Sequence, residues 1–126
     1  MRRALVAWVL IIVAETVHGM LRQWLLVPVV GDLRARQIGV LIGSAIIFAI
    51  AWALARWIDA RTLRVQLAVG AVWVVLTLGF EYTLGRLLGL PTERMLADYD
   101  VARGGFMLFG LAFMLVALAL AARVRR

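Results

Sequence analysis

The sequence predicts an all-α, polytopic membrane protein. Four transmembrane helices are expected as two helical hairpins, with a short interfacial helix before the fourth. Three observations predict it. The 126 residues are 65% hydrophobic, with a mean hydropathy of +0.99. A soluble domain of this length cannot bury so much apolar surface, so lipid must serve as the solvent. Arginines bracket uncharged stretches: nineteen residues separate Arg36 from Arg56, and nineteen separate Arg103 from Arg123. At the helical rise each such stretch spans roughly 28 Å, about the hydrocarbon thickness. The connections are short, which leaves room for one domain, residues 1–126, and no separate soluble module.

The first helix is expected over about Arg3–Val27, ended by Pro28. Arg2 and Arg3 followed by the apolar run Ala4–Ala14 also have the outline of a signal peptide. Ile12 is large for a position before a cut, and hydrophobicity resumes from Met20 to Val30, so a retained helix is the better reading. Val29–Ala35 reads as a short connection carrying Gly31 and Asp32. Arg36 opens the second helix, which runs to Arg56. Its Gly39 and Gly43, with Ser44 and Ala45 beside them, form a small-xxx-small pattern that admits close approach of another helix. Contact within the chain is weighed slightly ahead of a homodimer through that face.

Trp57–Arg64 reads as a tight basic turn. The third helix is expected over about Val65–Leu88, clean through Phe80 and then carrying Glu81, Tyr82 and Arg86. Leu90-Pro91-Thr92 breaks it. Glu93–Asp100 is too short and polar to span, and is read as an interfacial helix with Met95, Leu96 and Tyr99 towards the bundle. Arg103 opens the fourth helix and Arg123 closes it.

An internal repeat underlies the hairpins. Shifted by 67 residues, Arg36, Gly43, Ala45 and Arg56 fall on Arg103, Gly110, Ala112 and Arg123. Shifted by 66, Glu15 and Gly19 fall on Glu81 and Gly85. The halves, about 3–56 and 65–123, would be parallel hairpins related by an axis along the membrane normal.

All fourteen basic residues are Arg, and the net charge is +7. In a soluble protein that excess would suggest nucleic acid. Here arginine marks helix ends, no nucleic-acid motif lies between them, and the expected partner is the lipid bilayer. Eight arginines (2, 3, 56, 61, 64, 123, 125 and 126) fall on one side against Asp59 alone. That side should be cytoplasmic, with both termini inside a bacterial-type inner membrane. The absence of Cys excludes disulfides, thiolate metal sites and thiol catalysis.

The candidate site is Glu15, His18 and Arg22. Their spacing of i, i+3, i+7 puts them on one face of a helix that otherwise reads as membrane-buried. Glu15 lies roughly 18 Å along from Arg3, slightly past the midplane, and Glu81 about 7.5 Å from Arg86. Both carboxylates are thus expected in the periplasmic half, with Arg22, Arg86, Arg36 and Arg103 as counter-charges and Tyr82 beside them. Ionisable groups there are costly and usually face a bundle interior.

Four roles fit these residues. The first is binding or proton-linked transport of a small solute. The chain length, four helices and one Glu midway along the first are similar to small multidrug resistance transporters. Glu81, Arg22, Arg86 and the Arg-rich outer connections depart from that pattern. The second is metal binding, because Glu15-Thr16-Val17-His18 has the Glu-x-x-His spacing of di-iron bundles. One chain supplies half such a site, since Leu84 stands opposite His18 in the repeat; a homodimer would have to pool Glu15, His18 and Glu81. A bis-His haem is excluded by the single His, and no cofactor is strongly implied. The third is an enzyme on a lipid-like substrate, for which no nucleophile motif is present. The fourth is an accessory or assembly subunit of a larger membrane complex, its buried charges serving helix packing. Binding or proton-linked passage leads, the accessory role follows, and an enzyme is the less favoured reading.

Overall fold

The computed structural model describes residues 2–97 and 105–124. It is 90% helical, with four long apolar helices and no strand among the described residues. Helix α1 spans Arg2–Val30, α2 Asp32–Ile58, α3 Leu63–Leu87, α4 Thr92–Ala97 and α5 Met107–Val124. The four long helices are each long and apolar enough to cross a membrane. Large apolar side chains remain exposed all round them, such as Val9, Val13 and Val17 on α1 and Leu41 and Val75 on α2 and α3. A helix that is apolar on every face needs lipid or protein on every face. The chain is a multi-pass, four-helix membrane bundle.

α2 and α5 pack along each other at the centre; α1 flanks α2, and α3 flanks α5. α2 buries Ala35, Gly39, Gly43, Ile47, Ala51 and Ala55, a strict four-residue stripe of mostly small side chains. Such a ridge lets neighbouring backbones come close. The tightest approach lies on the other hairpin, where a Cβ added to Gly70 of α3 would run into the Leu115 carbonyl of α5.

The apolar core fills only the half of the bundle that holds the chain ends. It comprises Ala4, Ala7 and Ile11 of α1, Ile47, Ala51 and Ala55 of α2, Val69 and Trp73 of α3, and Met114, Ala117, Leu118 and Ala121 of α5. Trp73 is 0% exposed and donates its indole N–H to the Ala4 carbonyl at 2.9 Å. Trp8 donates to Thr77 Oγ1 at 3.1 Å, and Thr77 donates to Met114 Sδ at 3.4 Å. Trp8 also meets Phe80 edge to face. These bonds satisfy polar groups that lipid could not.

Several sequence expectations are corrected. Pro28 does not end the first helix. Residues Arg22–Leu26 form a π turn, in which the Val27 N–H bonds the Arg22 carbonyl, and the helix continues to Val30. Proline has no N–H and its ring crowds the carbonyl four residues back, here Trp24. Widening the preceding turn accommodates both faults. The expected connection over 29–35 shrinks to Gly31, whose φ of 87° suits glycine, and α2 starts at Asp32 rather than Arg36.

At the other end α2 runs to Ile58, and the expected turn over 57–64 is only 59–62. Asp59 caps α2 in the left-handed region at φ 58°. Its carboxylate accepts from Arg61 Nε at 2.8 Å, a hydrogen bond that holds Asp59 below the usual carboxylate range. Thr62 caps α3 by accepting from the Val65 N–H. α3 ends at Leu87, and Gly89 closes it with the Leu90 N–H on the Gly85 carbonyl. α4 starts at Thr92, and Leu96 is 59% exposed instead of facing the bundle. The end of the expected interfacial helix, with Tyr99, lies outside the described residues. α5 begins at Met107, four positions after the expected start; Gly105 and Phe106 are not helical, as a glycine pair at a helix start favours. Arg103 also lies outside the described residues.

Candidate functional site

On α1 the buried stripe Ala4, Ala7, Ile11 continues with the same spacing into Glu15, His18 and Arg22. The polar residues therefore occupy core positions in the half of the bundle that lacks an apolar core. α2 receives them with glycine. A Cβ at Gly43 would lie 2.8 Å from Glu15 Oε2. One at Gly39 would lie 3.0 Å from Arg22 Cδ and 3.6 Å from His18 Cε1. The two glycines, buried and one turn apart, thus form a seat for three polar side chains. The small-residue face is filled from within the chain.

Glu15 and His18 stand 3.8 Å apart, with side chains 26% and 15% exposed respectively. Glu15 lies within electrostatic range of Arg22 and of Glu81 on α3. Glu15 Oε1 and Arg22 Nε are both buried without a hydrogen-bond partner. Arg36, from the first turn of α2, pairs through Nε with Asp32 Oδ2 at 3.0 Å.

Beside Arg22 and Arg36 is a cavity of about 50 Å³. Leu33 and Val40 of α2, with Phe106 and Met107 at the start of α5, supply its apolar wall, and Gly105 contributes backbone. Neither the cavity nor the π turn that carries Arg22 was anticipated from sequence. The available signal was Pro28, too close to Arg22 for an undisturbed helix.

The structure brings Glu15, His18, Arg22 and Arg36 to one region. Glu81 is exposed on α3, near enough to Glu15 to interact. Tyr82 and Arg86 are exposed and engage each other: Arg86 Nε donates to the Tyr82 hydroxyl at 3.2 Å, and its guanidinium lies 5.4 Å from the ring centroid. The residues matched by the repeat differ in setting. Glu15 sits over Gly43, whereas Gly110 faces Val40 and Glu81 is open. No group of three or more His, Asp or Glu that could hold a metal gathers among the described residues.

Fold and site define a small multi-pass membrane bundle with a polar cluster confined to one half. Compared with family models, curated proteins and solved structures, the chain matches none of them.

Proposed function

We propose that the protein binds a small solute at Glu15, His18 and Arg22 and passes it in a proton-linked manner. One observation carries this reading. A carboxylate oxygen and a guanidinium nitrogen, a few residues apart on one helix, are both buried and partnerless. A network that served only packing would satisfy itself, because each unmet buried polar atom costs about 1–3 kcal/mol. Insertion of an acid at this depth adds about 2.5–3.5 kcal/mol. A carboxylate left with an unmet oxygen, beside an imidazole, is a group placed to take and release a proton. The cavity beside Arg22 lies at the end of the bundle away from the termini. The arginine distribution supports a bacterial-type inner membrane with that end towards the periplasm.

The test is proton uptake into proteoliposomes carrying an entrapped pH dye. Glu15→Gln is expected to abolish pH-dependent flux while leaving the folded yield intact. Unchanged flux in that variant rejects the reading. A second reading, an assembly subunit, draws on Glu81, Tyr82 and Arg86, which stay exposed on a spanning helix. Exposed polar groups on such a helix suit a partner helix. Loss of the transport reading together with a partner that co-purifies in mild detergent would favour it.

A further inference from the structure

We infer that the cavity between Arg22 and Arg36 binds a small monoanion, of chloride to formate size. The inference rests on the proposed function above and names the class of its solute.

Two arginines from different helices line the cavity. Arg22 Nε is buried and lacks an acceptor. Arg36 is held at the wall by its ion pair with Asp32. The remaining side chains, Leu33, Val40, Phe106 and Met107, offer no hydrogen-bonding oxygen that could take the acceptor's place. An acceptor that enters from solvent completes the Arg22 donor set, and the apolar wall strengthens its attraction to the cations. A cation meets two like charges there.

Size narrows the class. The cavity is about 50 Å³, room for a few water-sized groups. That space suits a small ion.

Charge ties the anion to the proton. Among the described residues, the charged or titratable groups in this half are His18 and Arg22 on the same helix as Glu15, Glu81 on α3, and Arg36 with Asp32 on α2. The outer half of α5, from Met107 to Met114, carries none. A proton on Glu15 removes a negative charge beside Arg22, and one on His18 adds a positive charge, so each makes the surroundings more favourable to an anion. Anion and proton therefore enter together, and acid favours the anion.

Thermal unfolding of the purified full chain in neutral detergent tests this. Sodium chloride, nitrate and formate are compared with sodium gluconate at equal ionic strength, at mildly acidic and mildly alkaline pH. A small anion is expected to raise Tm by about 5 °C once roughly tenfold above its dissociation constant. The rise should be larger in acid. Arg22→Gln should abolish it, and Arg22→Lys should keep part of it, since the charge stays but the planar fork is lost. Should Arg22→Gln fail to fold, an unchanged response in Arg22→Lys overturns the assignment. A gluconate effect equal to that of the small anions also overturns it, as does stabilisation by phosphatidylglycerol alone. If Glu15→Gln stops proton flux yet no anion shifts Tm, the proton-linked reading stands and the anion site falls. If anions act through Arg22 while flux ignores Glu15, the site stands and the transport falls.

Discussion

Two glycines show how differently the same residue can be used. At Gly70 the neighbour is backbone, the Leu115 carbonyl, which cannot move without shifting α5. At Gly43 the neighbour is the far end of a flexible side chain, Glu15 Oε2. Gly70→Ala is expected to destabilise by ~1–3 kcal/mol as an overpacking change. Gly43→Ala should cost well under that, because the carboxylate swings aside, yet it should impair proton flux by displacing Glu15. Thermal unfolding and the proteoliposome assay, run on both variants, read the two effects separately. Equal loss of stability in both would mean that the Glu15 seat is a packing contact like any other.

Elements were legible where chemistry marks their ends. Arginines at the lipid boundary located all four spanning helices, although α2 overran its brackets by a few residues at each end. The face shared by Glu15, His18 and Arg22 followed from spacing alone. The side of α3 that Tyr82 and Arg86 occupy did not, because a helix apolar all round gives no phase from which to read its inward face. Pro28 misled for a related reason. A proline rule assumes an α-helical turn before it, and the chain widened that turn instead. Pro28→Ala is expected to let Arg22–Leu26 return to α geometry, turning Arg22 relative to Gly39. Stability should rise, by up to about 3 kcal/mol, while the response of Tm to small anions should fall. An undiminished anion response would show that the wide turn does not set the position of Arg22.

The molecule as a whole divides along its length. One half is closely packed around Trp73; the other holds Glu15, His18 and Arg22 at buried positions. The inferred orientation puts the charged half outside the cell, and the absence of cysteine makes this easy to check. A single cysteine at Arg61, in the short turn between α2 and α3, should resist a membrane-impermeant thiol reagent in intact cells and react once they are opened. One at Glu93, in α4, should react in both. The reverse pattern would invert the topology and turn the polar seat towards the cytoplasm. The four-helix membrane fold was readable from hydropathy and the spacing of the arginines. The unequal settings of Glu15 and Glu81 were not, since they depend on Glu15 meeting Gly43 while Gly110 meets Val40.

The bonds from Trp8 to Thr77 and from Thr77 to Met114 lace three helices together at one level below Glu15. On the proposed transport reading, an ion that enters beside Arg22 and Arg36 would meet a floor there. Such a site would fill and empty from one side. Carriage to the far compartment would require a second shape, in which an indole, a hydroxyl and a thioether release one another before the helices can part.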